Sequence, residues 1–441
     1  LGATDNVETW LASVKIRWWL FIVKRKKKRE RYAEALEILQ KVITAEPNRA
    51  LAFLEAGFCL TRLNRYEDAL NSYDRALQIV PDYGDAHAFL GLAYHELGRN
   101  QEAFDSFNRA LRIKPGLKDD PYWLYMLGLT SGKVGRWEQS LAAFKKLTEQ
   151  NRKHENAWHG VGWASDNLDR NSEAVAAYQR AVQLNPENAT AHYELGLLYG
   201  KLKRFPEALE QFRGSIEIAP DMSKAYYSLG CAYGEMGNIA EAVEPLLQAL
   251  RLGPQNAEAY HLLGWAYLGL GNGEKALEVC NEAVRLEPDQ MEHRVALVAS
   301  YLQLNKFSEA LETAENAVRL KPGSAEAYQS LGDAFQGSER SSEAVLAYEK
   351  SVELNPQDFF GHAKLGYAYL QTGSNLDALQ AFLKAAEFDP NDANLHYYLG
   401  ETYLKLGNRD SAQQEYEILK AVHQSLAEDL KKLLDCHRGD D

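Results

Sequence analysis

Cysteine is scarce in this 441-residue chain: Cys59, Cys231, Cys280 and Cys436 are the only four, and none forms a C-x-x-C pair. That excludes a disulfide scaffold and the paired-thiol zinc and redox motifs, and unpaired thiols fit a reducing, cytoplasmic setting. Long apolar runs are missing too. The longest, Trp18–Val23, has six residues, against the ~20 that a membrane-crossing helix needs. The eleven histidines include no H-E-x-x-H or H-x3-H spacing. Residues 269–275 look like a phosphate loop but lack the preceding strand and the closing Lys-Ser/Thr. Asn188-Ala189-Thr190 is a lone glycosylation sequon. No catalytic residue, metal ligand or cofactor is assigned, and none is expected.

What is present is a globular balance, 46% hydrophobic and 25% charged, with a formal net charge of −13. The charge is uneven. Residues 1–31 hold nine Lys/Arg against three Asp/Glu, leaving the remainder at −19. A body of that sign repels a phosphate backbone, so nucleic-acid binding along it is not expected. Partners of the body should be neutral or basic, with on-rates that fall as salt rises. Leu at position 1 in place of Met leads to the expectation of a fragment or a processed chain.

A period of 34 residues organises the rest. Stepping through the chain at that interval gives three units over 16–117, an insertion at 118–120 (Lys118-Asp119-Asp120), and nine units over 121–426. A Pro such as Pro186 or Pro288 closes ten of the twelve units. One slot is Ala in eleven of twelve (Ala69, Ala208, Ala412), and another is Gly in ten of twelve (Gly91, Gly196, Gly400). In one unit, Tyr260, Leu263, Trp265, Tyr267 and Leu270 have the spacing of a helix buried on more than one side. Gly271-Asn272-Gly273 supplies a turn. Ala276, Leu277, Cys280, Ala283 and Val284 then mark a second helix, which Pro288 stops. One hairpin of this size buries too little to offset its own ordering entropy, so neighbours must stack.

The pattern W/Y-x2-L-G-x2-Y followed by A-x3-F/Y, A and P resembles the tetratricopeptide repeat (TPR) over residues 16–426. The resemblance implies an all-α, right-handed α-solenoid superhelix of stacked helix-turn-helix units, with first helices lining a concave groove. Unit four carries Ser131, Ser140, Leu147 and Arg152 at slots that usually hold Tyr, Ala, Ala and Pro. With the insertion just before it, two readings stand there: a local change of superhelical pitch, or a tolerated insertion without consequence. Asp120 should cap the helix that Pro121 begins.

Both ends are irregular. Beyond unit twelve, Leu426, Leu430, Leu433 and Leu434 define an amphipathic capping helix that runs into residues 427–441. Its tail, His437 to Asp441, contains an Arg-Gly-Asp tripeptide that is expected to be a frayed end rather than an adhesion site. At the other end, residues 1–31 form a basic, aromatic segment with a degenerate first helix. Trp18-Trp19-Leu20-Phe21-Ile22-Val23 is followed by Lys24, Arg25, Lys26, Lys27, Lys28, Arg29 and Arg31. Three readings stand: a cap that packs its Trp/Phe face on the second repeat and solvates its basic end; a peripheral anchor on an anionic membrane through residues 10–31; or a nuclear-import or nucleic-acid patch.

The resemblance also allows two partner-binding modes of the family to be tested by residue. The carboxylate clamp needs Lys and Asn one turn apart, where this chain has Leu54 and Phe58, Ala88 and Leu92, or Tyr227 and Cys231. The asparagine ladder needs Asn where the chain has Glu55, Phe89, Met126, Gly160, Glu194 and Ser228. Both are absent. The groove slots instead hold Tyr125, His159, Trp163, Tyr193, Tyr227, His261, Trp265, Tyr367 and Tyr397. H-x2-G-W-A recurs at His159/Trp163 and His261/Trp265, and Gly132, Gly200 and Gly234 should widen the groove beside them. Aromatic side chains of this kind serve as interface anchors. The expected function is a non-enzymatic scaffold binding an extended peptide or partner protein in the groove. Two alternatives stand beside it: a regulatory or targeting region of a larger enzyme such as a TPR-fused transferase, and a membrane-tethered assembly factor.

Overall fold

The structure, a computed structural model, describes residues 2–436, with side chains from Lys15 onward. The Arg438-Gly439-Asp440 tripeptide lies outside the described residues. The chain divides into two compact units, Leu1–Ile218 and Ala219–Asp441. The first contains α1 (Gly2–Lys28), α2 (Tyr32–Ala45), α3 (Ala50–Arg62), α4 (Tyr66–Ile79), α5 (Gly84–Glu96), α6 (Asn100–Ile113), α7 (Pro121–Lys133), α8 (Trp137–Gln150), α9 (Glu155–Asn167), α10 (Asn171–Leu184), α11 (Ala189–Lys201) and α12 (Phe205–Ile218). The second contains α13 (Ser223–Glu235), α14 (Ile239–Leu252), α15 (Ala257–Gly269), α16 (Gly273–Leu286), α17 (Met291–Gln303), α18 (Phe307–Leu320), α19 (Ala325–Gly337), α20 (Ser341–Leu354), α21 (Phe359–Thr372), α22 (Asn375–Ala386), α23 (Ala393–Lys405), α24 (Arg409–Val422) and α25 (Gln424–Cys436). No strand occurs among the described residues.

Most hairpins close on a complementary pair of a small and a large residue. A methyl group at Gly332 would lie 2.4 Å from the Tyr348 ring, and one at Gly366 would lie 2.7 Å from Phe382. Only glycine lets the rings of Tyr73, Phe144, Tyr178, Tyr348 and Phe382 seat against the first helix, and all five are fully buried or nearly so. In the hairpin α17–α18 the bulk is exchanged. Val298 stands on the first helix and Ala314 on the second, and both are buried. Volume is conserved across the pair, as close packing requires.

Every turn within a hairpin uses a left-handed residue at one slot. Gly98, Gly135, Gly237, Gly271, Gly373 and Gly407 serve in six turns, and Glu30, Asn64, Asp169, Lys203, Asn305 and Glu339 in the other six, all with φ between 54° and 79°. Within each unit the second helix of a repeat packs on the first helix of the next. Several successive first helices also meet, among them α3 and α5, α15 and α17, and α17 and α19, while successive second helices scarcely do, so first helices form the inner side of each stack.

The C-terminal helix α25 ends the second stack. Ala427, Leu430 and Leu434 are buried against α23 and α24, and Leu430 seats over Gly400, where a methyl group would lie 2.5 Å away.

The first helix corrects an expectation. α1 does not pack a Trp/Phe face: its buried stripe is Ile16 and Val23, with Trp19 and Leu20 partly buried beside them, at the i, i+3/i+4, i+7 spacing of one helical face. Trp18 and Phe21 are 60% and 63% exposed. The basic end is only partly solvated. Lys26 pairs with Glu34 and Lys27 with Glu55, and Lys27 also lies 4.2 Å from the centre of the Phe58 ring.

Residues 118–120 fall at the end of a 3-10 turn, Pro115–Asp119. Asp120 then caps α7, its carboxylate accepting from the backbone N–H of Tyr122 at 2.9 Å and Trp123 at 3.3 Å. α6 and α7 meet less closely than helices at the other repeat junctions of this unit.

Candidate functional site

The aromatic slots lie on the first helices and therefore on the inner side of each stack. In the first unit all four residues are half-buried and spent on packing. The Tyr125 ring stands edge-on to Phe144 at 5.9 Å, His159 edge-on to Tyr178 at 5.4 Å, and Tyr193 is tilted on Phe212 at 6.0 Å. Trp163 meets Trp137 at 4.9 Å and fills the notch at Gly132, where a methyl group would lie 2.3 Å from its ring. Gly132 thus admits an indole rather than widening a groove.

The second unit differs at the equivalent place. Trp265 is 42% exposed, and a methyl group on Gly234 would meet nothing within 4 Å. The slot of Trp137 is filled here by Ile239, which offers no second indole to pull Trp265 inward. Leu246 occupies the slot held by an aromatic ring in eight other repeats. The outcome is a cavity of about 450 Å³ between α13, α14 and α15, with Tyr227 and Trp265 at its sides, Cys231, Ile239, Leu246 and Leu262 in its wall, and Glu235 as its charged member. Tyr227, Trp265 and Gly234 were legible in the sequence, and the other lining residues were not. The available signal was Leu246 in place of an aromatic ring. Tyr367 and Tyr397, also in this unit, are half-buried and stand 5.4 and 5.5 Å from the Tyr398 ring. Gly200 in the first unit is open in the same way as Gly234.

The thiols and imidazoles at these slots favour their neutral forms. Burial pushes the Cys231 thiol up, and it pushes Cys59 and Cys280 up to about 11. Burial lowers His159. It also lowers His261, helped by the neighbouring His293, whose ring lies 5.1 Å away. A protonated thiol is a poor nucleophile, so the cavity offers apolar and aromatic contact rather than reactive chemistry.

One grouping of metal-ligating side chains occurs among the described residues: Glu258, Glu287 and His293, with ligand atoms within 4.8 Å of one another. His293 is buried at a slot that is Ala in seven other repeats, including Ala259 and Ala327, and its Nε2 lies 3.3 Å from Glu287. That contact accounts for the cluster as a buried imidazole tethered by a carboxylate. Its members come from α15, the linker between α16 and α17, and α17 itself, so no local spacing announces it.

Comparison with known proteins places the fold. Models described as tetratricopeptide repeat match residues 23–84, 60–118, 227–290 and 295–359, and 187–255, and one described as TPR repeat matches 168–203 and 366–407. Among solved structures, the Cut9–Hcn1 hetero-tetramer of the APC/C matches 97% of this chain and 98% of its own, at 15% identity and a TM-score of 0.50. Yeast Tom70 matches 88% and 95%, at 16% identity and 0.46. A tetratricopeptide repeat protein from Parabacteroides merdae matches 56% and 98%, at 16% and 0.49. No curated protein matches the chain.

Proposed function

The chain belongs to the tetratricopeptide repeat family, and from that membership we propose that it is a non-enzymatic scaffold for an extended peptide of a partner protein. Repeats of this family act generally as protein-interaction scaffolds. On this reading the peptide runs along the inner, first-helix side of the second unit, and one of its large apolar side chains enters the cavity beside Trp265. The observation that carries the reading is the contrast between two identical H-x2-G-W-A motifs. Trp163 is consumed by Gly132 and Trp137, whereas Trp265 stands exposed over an open notch. Exposed aromatics rimming a concave apolar site are the usual anchors of recognition. Partner capture by the wild-type chain and by Trp265→Ala tests it. Loss of the captured partner on Trp265→Ala is expected, and an unchanged partner set defeats the reading.

A second reading concerns α1. Trp18 and Phe21 expose apolar rings beside the exposed Lys24, Arg25, Lys28 and Arg29, which suits peripheral contact with an anionic membrane surface. No helix among the described residues is long and apolar enough to cross a membrane. Co-sedimentation with phosphatidylserine vesicles should weaken in Trp18→Ser/Phe21→Ser. Equal binding of both forms removes this reading.

A further inference from the structure

A cavity of the first unit lies away from the aromatic slots, at the junction that the insertion opens. It measures about 760 Å³ and is bounded by α6, α7, α8 and the 3-10 turn. Its floor is apolar: Leu111, Leu124 and Leu127 are buried there, with Phe104 half-buried and Ala142 exposed at the edge. At regular junctions the next first helix closes against the preceding second helix. Here the turn holds α6 and α7 apart, and the floor is left open.

The rim carries charge opposite to the body. Arg112 on α6, Lys118 on the turn and Arg136 at the start of α8 line the cavity, are exposed, and make no ion pair among the described residues. Arg112 makes only a long 3.4 Å contact to the Asn108 carbonyl. Lys146 adds a fourth cation, shared with Asp119 at 2.7 Å. The one carboxylate among the lining residues, Asp105, accepts from Gln101 at 3.2 Å. The mouth is held in shape by Gln139, which donates to Asn108 across α8 and α6 at 3.0 Å, and by Gln150, which donates to the Asp119 carbonyl at 3.0 Å.

Three cations without a carboxylate partner around an apolar floor form a positive rim on a chain of net charge −13. Arginine left without a carboxylate is suited to bidentate recognition of one. The cations stand on three separate elements, so they match carboxylates distributed along a chain better than one compact phosphate. We propose that this cavity is a docking site for an acidic peptide segment of a partner protein. Its Asp and Glu side chains pair with Arg112, Lys118 and Arg136, and an apolar side chain among them rests on Leu111, Leu124 and Leu127. The site is independent of the Trp265 cavity and selects the opposite charge from the one expected of the acidic body.

The test uses the full chain and a fluorescein-labelled peptide of Asp and Glu residues flanking a central Leu-Phe pair, read by anisotropy. The peptide should bind, and binding should weaken as salt rises, because exposed charges are screened within about 10 Å at 0.1 M. Arg112→Glu/Arg136→Glu should weaken it by roughly tenfold or more, the sum of two pairs turned from attraction to repulsion. Ala142→Trp, at an exposed position, should block the floor without charge change. Trp265→Ala should leave this peptide unaffected. Circular dichroism and the melting temperature confirm that each variant folds. The proposal is overturned if the charge-reversed variant binds equally, if a Lys-substituted peptide binds as well, if phosphatidylserine vesicles bind this rim in preference to the peptide, or if no binding is measurable at low salt.

Discussion

Replacing Gly234 with Leu should move stability and binding in opposite directions. Leu already holds this slot as Leu268, Leu302 and Leu404 in other repeats, and a Cβ at Gly234 meets nothing within 4 Å. The backbone is helical there, so the helix gains up to about 0.8 kcal/mol of propensity. Partial burial of the new side chain against the cavity wall adds about 1 kcal/mol. The second unit should therefore be stabilised by about 1–2 kcal/mol. The same side chain occupies space that a partner's apolar residue would use, and burying such a residue is worth about 1.5–3 kcal/mol. Affinity for the captured partner should fall by about tenfold to a hundredfold. Because stacked repeats need not unfold in one step, hydrogen exchange over α13–α15 is the appropriate stability assay, with titration of the partner peptide beside it. Unchanged affinity together with raised protection would show that the cavity is a packing defect, and a fall in protection would refute the geometry itself.

Three further outcomes follow from the same packing. Gly200→Ala meets nothing and should stabilise by about 0.5–1 kcal/mol, whereas Gly332→Ala drives a methyl group to 2.4 Å from the Tyr348 ring and should cost about 1–3 kcal/mol; hydrogen exchange over each hairpin separates them. At the turns, Glu339→Gly, at φ 60°, should stabilise by about 1 kcal/mol in denaturant unfolding, and Gly271→Ala, at φ 73°, should destabilise by a similar amount. His159 and His261 are held below the usual 6.5, so the unfolded chain takes up protons that the folded chain refuses. Their contribution is complete above about pH 6.5 and is lost as pH falls below it; melting temperatures of His159→Gln/His261→Gln should show a flatter acid limb than wild type.

The repeat was legible because its two halves announce each other. Gly at one slot and an aromatic ring sixteen residues later recur as Gly57/Tyr73, Gly128/Phe144 and Gly366/Phe382. One of the two repeats without that Gly, with Val298 and Ala314, obeys the same volume rule. The sites were less legible because their decisive contacts cross from one repeat to the next. Trp163 and Trp265 share the H-x2-G-W-A pattern, and their fates are set by Trp137 and Ile239 on a preceding second helix. The periodicity of α1 identifies a buried stripe at Ile16 and Val23, but the density of aromatics drew attention to Trp18 and Phe21, which face solvent. Lys26 and Lys27 read as part of a solvated run, yet carboxylates on α2 and α3 draw them inward. The insertion was plain in the sequence. That it would open a floor of Leu111, Leu124 and Leu127 depended on how far it parts α6 from α7.

The seat that Leu430 takes over Gly400 has a use beyond closing the natural stack. Glycine is offered at that slot by nearly every first helix, so the final helix is a portable lid. Spliced after α14, α16 or α20, it should seal shortened versions of the second unit and permit the array to be trimmed repeat by repeat. A ladder of such proteins, each with the same terminus, would let the contribution of every hairpin to partner capture be measured by subtraction.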